Sequence, residues 1–368
     1  MKKVLIIGPL PPPIHGESMA IKSLVESNEI KNFCKLICIN TNREQVNTTG
    51  KFALSKIYED IRHILKAFSI VIFNKPDIIY LSISQTKLGL LRDVIFILLG
   101  SLRKKAKIIT HLHGNNLGNI IDNLSSLELN FVSYALNKVD TGIVLGDSLK
   151  GNYRNLINRV EVVFNGIDKN FINDNELDIK FSNNHESEYI NILYLSNLIE
   201  SKGYLELILA TINLIEKGYP IKLTLAGSIF NNVQFESVME EVKRRKMDRD
   251  IIYRGVVQGV EKKELLLSSD IMILPTNYII EGQPLSIIEG MAAGMPIIST
   301  KRGSIPDLVK ENGILIDEGN KLQIENAIIQ FLENKKFKLD SGKRSRKLFL
   351  QQFTLDNYIS KIKSIFEL

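Results

Sequence analysis

Short apolar runs recur along this chain, separated by amphipathic or polar stretches. Val4–Ile7, Cys34–Asn40, Ile78–Ser84, Lys107–Leu112, Gly142–Leu145 and Val160–Phe164 read as strands. Segments between them, such as Met19–Ser27 and Phe52–Ala67, read as helices. Strands alternating with helices predict a parallel sheet covered by helices on both faces. The stretch Asp168–Asn191, rich in Asn, Asp, Ser and Glu and without periodicity, predicts a linker. The alternation then restarts with Ile192–Leu195, Ile221–Ala226, Ile251–Tyr253, Ile271–Leu274, Ile297–Ser299 and Ile314–Ile316. The pattern is that of two α/β domains in succession. They are expected over residues 1–170 and 171–354, with a last helix at about 355–368 able to pack back on the first. Open sheets of this kind take ligands at the carboxyl ends of their strands, so two of them facing across a cleft can hold a nucleotide and a second substrate.

Composition adds limits. A length of 368 residues suits two domains, and 44% hydrophobic with 24% charged residues is ordinary globular composition. The formal charge of +6 is uneven: residues 1–170 hold 22 Lys/Arg against 14 Asp/Glu, a net of +8. That half suits an anionic partner or membrane surface, or simply carries scattered solubilising charge. The apolar part of the N-terminus, Val4–Ile7, is too short for a signal peptide. The longest apolar segment, Leu88–Leu102, carries Arg92 and Asp93 and reads as a buried or interfacial helix, not as a membrane span. The protein is expected in the cytoplasm, at most peripheral on the inner face of the cytoplasmic membrane. Cys34 and Cys38, four residues apart on one strand, stand about 13 Å apart, too far for a disulfide.

Candidate chemistry concentrates in IIEGQPLSIIEGMAAGMPIIST, Ile279–Thr300. Leu274 ends a strand, Pro284 suits the first position of a helix, and Gly294 permits its left-handed stop. The amides of Gly282, Gln283 and the first helical turn form an anion site at the positive end of the helix dipole, which Pro284, itself without an amide hydrogen, and Leu285 help to line. Glu281 stands beside that site. Glu289 lies about 7–8 Å along the helix from Pro284, by the 1.5 Å rise. The helix can thus hold a phosphate at its mouth and hydroxyl groups at each carboxylate. The bland alternative, a capping Glu281 and an exposed Glu289, sits poorly with Ile287, Ile288 and Met291 around the second carboxylate.

These residues, Glu281-x7-Glu289 within EGQPLSIIEGMAAGMPIIST, resemble the E-x7-E signature of the retaining glycosyltransferases of family 4, also called group 1. The likeness is dense over 270–317 and includes the FNGID of Phe164–Asp168. It implies the GT-B fold, two Rossmann-like domains, and a retaining, hexosyltransferase-type enzyme. The donor would be a nucleotide diphosphate sugar. The acceptor would be a glycan or a polyprenyl-diphosphate-linked glycan of bacterial surface polysaccharide: O-antigen, lipopolysaccharide, capsule or exopolysaccharide. It also implies roles. Glu289 would bind ribose hydroxyls, Glu281 the donor sugar, and Lys202, in YLSNLIESKG, the diphosphate. Asn197 stands where the family commonly has arginine, so a second cation is missing there; Arg254 or Lys301 is a candidate substitute. His113, in THLHGNN, would hydrogen-bond the donor sugar, while His111 reads as strand interior. Gly16, in GPLPPPIHGES, would serve phosphate or acceptor contact.

Other chemistries recede. The first loop lacks both the G-x-G-x-x-G of a dinucleotide site and the Lys-Ser/Thr of a P-loop. The pair Asp248-x-Asp250 reads as a loop, and no metal or other cofactor is expected. Basic clusters lack interleaved aromatics, which argues against nucleic acid. Two rival readings stand beside transfer: a nucleotide-sugar epimerase or hydrolase on the same fold, and an inactive sugar-binding subunit.

Overall fold

A computed structural model of the protein describes residues 1–42, 52–183 and 188–368. Its strands form two six-stranded sheets, and every pairing is parallel. The first holds β1 (Lys2–Gly8), β2 (Cys34–Asn40), β3 (Ile78–Ser82), β4 (Lys107–Leu112), β5 (Thr141–Val144) and β6 (Val160–Val162), in the order β2-β1-β3-β4-β5-β6. The second holds β7 (Ile190–Leu195), β8 (Ile221–Ala226), β9 (Ile251–Tyr253), β10 (Ile271–Leu274), β11 (Ile297–Thr300) and β12 (Gly313–Ile316), in the order β12-β11-β10-β7-β8-β9. Central strands such as β3 and β10 are buried at every position, which is why they read as unbroken apolar runs.

Among the described residues up to Asn165, the first unit carries α1 (Gly16–Glu26), α2 (Asn28–Phe33), α3 (Phe52–Ser69), α4 (Lys87–Ser101), α5 (Leu117–Asp122) and α6 (Ser126–Leu136). A π-helical turn, Ile70–Asn74, continues α3. Helix α4 is the apolar segment singled out from the sequence. It turns Leu90, Val94, Phe96 and Ile97 into the core, so its hydrophobicity is largely spent on packing. Its charges are used as well. Arg92 holds the fully buried Asp93 through Nε at 2.9 Å and a terminal nitrogen at 2.7 Å, and Asp93 accepts the Ser84 amide at 2.6 Å. This ties the loop after β3 to α4. Among the described residues no helix is long and apolar enough to cross a membrane. Cys34 and Cys38 are both free thiols on β2.

The second unit carries α7 (Asp174–Asn183), α8 (Tyr204–Glu216), α9 (Asn232–Arg244), α10 (Gly259–Ser268), α11 (Leu285–Ala292), α12 (Ile305–Leu308), α13 (Lys321–Glu333) and α14 (Lys335–Gln352), and α15 (Leu355–Glu367) starts in it and passes into the first. The units divide at Asn165/Gly166, and Tyr358–Leu368 belongs with the first. There the Lys2 ammonium donates to the Phe366 carbonyl at 2.7 Å, and the Tyr358 hydroxyl to the Ala20 carbonyl at 3.3 Å.

Helix α7 corrects the expected linker at Asp168–Asn191. Asn173 and Glu176 form a reciprocal cap at its start, with the Glu176 amide donating to Asn173 Oδ1 at 3.0 Å and the Asn173 amide to Glu176 Oε2 at 2.9 Å. Leu177 and Lys180 are buried on its inner side. Seven of its ten residues are polar, and of its three apolar residues Ile179 is exposed, which leaves little periodicity to read beside the capping pair.

Candidate active site

The second sheet reverses direction at β7. The chain runs outward from β7 through β8 to β9, then returns to the other side of β7 with β10. The carboxyl ends of β7 and β10 are therefore neighbours whose connections leave in opposite directions, the position where open α/β sheets take ligands. Lys202 follows β7 and Glu281 follows β10. The Lys202 ammonium donates to Glu281 Oε2 at 2.5 Å, and the two side chains are only 12% and 7% exposed. The Thr276 hydroxyl donates to the same oxygen at 3.2 Å, and the Tyr278 ring centre lies 4.8 Å from the ammonium.

Two glycines let these loops close. Gly203 has φ +77°, and a Cβ there would stand 2.2 Å from the Pro275 carbonyl oxygen. Gly303 has φ +56°, and its Cβ would stand 2.2 Å from the Glu281 carbonyl oxygen. Neither conformation nor contact suits a larger residue. Ser304 then holds the Gly282 carbonyl with its amide at 2.8 Å and its hydroxyl at 3.1 Å.

Helix α11 begins one residue later than its sequence suggested. Pro284 is its N-cap, with no side chain capping the amides behind it, and Gly294 takes the left-handed stop at φ +64°. Gly282, Gln283 and Pro284 are buried and Leu285 half-buried. The mouth is thus a set of main-chain donors at the positive end of a dipole, next to Lys202 and Glu281. Glu289 lies one turn in. Lys262 of α10 donates to its Oε1 at 2.5 Å. Burial holds the Glu289 carboxyl above the usual carboxylate range, and the Lys262 charge opposes that rise. Behind both helices, the buried Lys180 ammonium donates to the carbonyls of Leu266 and Ala293, each at 2.9 Å, and burial pushes its pKa down to about 7. Asn197 is exposed just after β7, and its carbonyl accepts the Tyr194 hydroxyl at 3.1 Å. Arg254 follows β9 at the edge of the sheet, two strands from β7, whereas Lys301 follows β11 beside β10; both are exposed.

The first sheet reverses between β1 and β3. The loop after β1 leads into α1 at Gly16, where His15 and Ser18 cap one another, with the Ser18 amide donating to His15 Nδ1 at 3.3 Å. One donor at this helix mouth is therefore already taken. The Ser82 hydroxyl, at the end of β3, donates to the Glu17 carboxylate, and burial raises the Glu17 pKa. At the end of β4 the rings of His111 and His113 stack with centres 3.9 Å apart. His111 Nδ1 meets the Tyr80 hydroxyl at 2.5 Å, as suits a histidine inside the sheet. Both ring nitrogens of His113 are buried and have no hydrogen-bond partner among the described residues. Burial lowers its pKa to about 3, so the ring is a neutral donor and acceptor at ordinary pH.

Of the residues singled out from the sequence, the second unit gathers Lys202, Glu281, Gly282, Gln283, Pro284, Leu285 and Glu289 around one strand reversal and one helix. Asn197 stands on the loop leaving β7. Gly16 and His113 belong to the first unit, each beyond the carboxyl end of a strand. Lys262, Tyr278, Thr276, Glu17 and Ser82 went unnoticed. Lys262 pairs with a residue 27 positions away and Ser82 with one 65 away, and no local pattern announces such partners. Among the described residues, no group of three or more His, Cys, Asp or Glu side chains is placed to hold a metal ion.

Comparison with known proteins finds relatives of this sequence and of this fold. A sequence model of the glycosyl transferases of group 1 matches residues 175–348. N-acetyl-alpha-D-glucosaminyl L-malate synthase of Bacillus anthracis is 26% identical over 270 residues, covering 72% of this chain and 68% of that one. WcaL of Escherichia coli K12, which carries the name of a colanic acid biosynthesis glycosyltransferase, is 26% identical over 157 residues, 39% of this chain and 36% of its own. The crystal structure of HepE from Anabaena in complex with UDP superposes with a TM-score of 0.73, covering 100% of both chains at 15% identity.

Proposed function

Because this chain belongs to the glycosyl transferases of group 1, we propose that it moves a sugar from a nucleotide diphosphate sugar to a hydroxyl of a glycan or lipid-linked glycan, keeping the anomeric configuration. The surface-polysaccharide setting is part of the proposal and is supported by the likeness to WcaL. The observation that carries the reading is the buried Lys202–Glu281 pair at the strand reversal, beside the uncapped mouth of α11.

In the reaction the bond between the anomeric carbon and the phosphate oxygen breaks, and the acceptor oxygen bonds to that carbon. Nucleoside diphosphate leaves, and the acceptor proton passes to its freed phosphate oxygen. Charge builds on the departing phosphate. The α11 amides and the Lys202 ammonium are fixed where they meet it, so they need not reorganise as the bond breaks. Positive charge of this kind serves the leaving group without a metal. Glu281 and Glu289 offer acceptor oxygens for sugar and ribose hydroxyls. From the first unit the proposal takes His113, whose unpartnered nitrogens can bond a sugar hydroxyl. Attack on the face the phosphate leaves, guided by that phosphate, accounts for retention without a carboxylate nucleophile.

A thermal-shift screen of nucleotide diphosphate sugars should find one that raises the melting temperature through binding to the folded state. Incubating that donor, labelled, with candidate acceptors should then give a glycoside of unchanged anomeric configuration by proton NMR. A main fast product of free or epimerised sugar without acceptor would overturn the reading in favour of a hydrolase or epimerase.

A further inference from the structure

The carboxyl end of the first sheet holds hydrogen-bonding groups that the first unit leaves unused. Strands β1, β3 and β4 are neighbours there. The Ser82 hydroxyl, at the end of β3, donates to Glu17 Oε1. Glu17 Oε2 has no partner among the described residues. Burial raises the Glu17 pKa and the Ser82 bond opposes the rise. A carboxylate held partly out of water thus has one hydroxyl bonded to it and no cation, and it gains from every further hydroxyl it meets.

Further along the same loop, Gln85 crosses to the segment after β4. Its Oε1 accepts the Asn116 amide at 3.0 Å, and the Asn116 side chain donates back to its carbonyl at 3.2 Å. Gly114 makes room for it, since a Cβ there would stand 2.1 Å from Gln85 Nε2. Asn115 Oδ1 accepts from Asn152 at 2.9 Å. These bonds use the oxygen of each side-chain amide and fix its plane. The NH2 groups of Gln85 and Asn115, both residues half-buried, have no partner among the described residues.

The charges around this row are already matched. The segments that lead from β1 and β4 to the next helices, PLPPPIH and HGNN, hold neither Lys nor Arg. After β3, Lys87 pairs with Glu128 at 2.8 Å, and Arg92 directs all three guanidinium nitrogens at Asp93, Asp60 and Ser84. Burial holds His15 and His113 below the usual imidazole pKa, so both rings are neutral at ordinary pH. Among the described residues the row therefore offers an anionic acceptor and amide donors without a free cation. A sugar hydroxyl both donates and accepts, so adjacent hydroxyls can meet a carboxylate oxygen and an amide NH2 together. A carboxylate or phosphate on the ligand would face Glu17 with nothing to neutralise it.

We infer that Glu17, Gln85 and Asn115 form an acceptor subsite selective for an uncharged sugar, in which Glu17 Oε2 receives a hydroxyl hydrogen bond without taking the proton. The inference rests on the transferase reading and narrows its acceptor to a chemical class.

Saturation-transfer NMR on the full chain tests it, without and with the donor found by thermal shift. The probes are the methyl glycosides of glucose and galactose and of the corresponding uronic acids. At least one neutral glycoside should bind about tenfold or more tightly than its acid counterpart. Glu17→Gln keeps the contact with Ser82. It should weaken the neutral glycoside by about tenfold to a hundredfold and narrow the gap to the acid, with the donor Kd unchanged. A residue that only ties α1 to β3 would move the melting temperature and leave that gap as it was. Gln85→Ala should weaken neutral and acid glycosides alike. The inference falls if no neutral glycoside binds, if the acids bind as well, or if Glu17→Gln leaves the gap unmoved. Should Glu17→Gln not fold, Gln85→Ala decides, and unchanged neutral binding overturns the subsite. Glu17-dependent binding of a neutral sugar, without sugar transfer in any assay, would leave the subsite standing and remove the transferase reading.

Discussion

The Lys202 ammonium and Glu281 Oε2 meet at 2.5 Å although 79 residues separate them in the chain. Each closes the end of a different strand, β7 and β10, and the two strands are neighbours only because the chain reverses between them. Lys202→Met leaves a buried carboxylate unpaired and is expected to cost about 3–5 kcal/mol of stability. Transfer should fall by about 10²–10³ in kcat as the phosphate loses its cation. Adding Glu281→Gln should recover much of the stability in urea titration and none of the turnover. Recovery of turnover in the double variant would remove Lys202 from the chemistry.

Glu289 gives a signed pH dependence. Its carboxyl is held above the usual range by burial, and Lys262 opposes the rise. The ionised form is the better acceptor for ribose hydroxyls, so nucleotide affinity should weaken as pH falls through this raised value. Lys262→Met removes the opposing charge and should shift the weakening to higher pH. Glu289→Ala should raise Kd roughly tenfold to a hundredfold, from the loss of hydrogen bonds to a charged group. Calorimetric titration of nucleoside diphosphate over a pH series reads all three, and a profile unmoved by Lys262→Met would refute the coupling.

Gly303 tests the loop that carries Glu281. Gly303→Ala sets a Cβ 2.2 Å from one main-chain oxygen and 2.5 Å from the next, at φ +56°. Backbone cannot swing aside as a side-chain tip can. The change should cost at least about 2 kcal/mol, and activity should fall steeply because Glu281 must shift. Gly319→Ala is the control: φ is +68° but nothing lies within 4 Å. It should cost about 1 kcal/mol, from the left-handed backbone alone, and leave turnover intact.

His113 links acidity to stability. Its folded pKa of about 3 lies below the ordinary value of 6.5, because burial disfavours the cation. Between those values the unfolded chain binds the extra proton, so the stability contributed at neutral pH is lost as pH falls toward about 3. His113→Gln should make the protein less sensitive to acid in urea melts at about pH 7.5 and about pH 5. An unchanged difference between the two melts would show the ring is not buried neutral.

The strand pattern was legible because both sheets are parallel and their central strands lie inside them. Burial on both faces writes an unbroken apolar run in central strands such as β4 and β10, the partly buried edge strands β2 and β9 keep enough apolar positions to show, and β2, β4, β8, β9 and β10 begin and end where the sequence placed them. Helix α11 was legible for a related reason, since its proline start and glycine stop are local backbone requirements met within ten residues. Helix α7 was not, because ten mostly polar residues hide two buried positions.

The sequence by itself determined what is local: which segments extend, which coil, where backbone donors stand unpaired, and which carboxylates accompany them. Only the tertiary structure decided which charge faces which. Lys202 reaches Glu281, Lys262 reaches Glu289, and Ser82 reaches Glu17 because strand order sets the neighbours of each loop. Burial then strips those charges of water, so each must find a partner across the fold. Strand order and burial are properties of the folded chain as a whole, and no stretch of residues carries them alone.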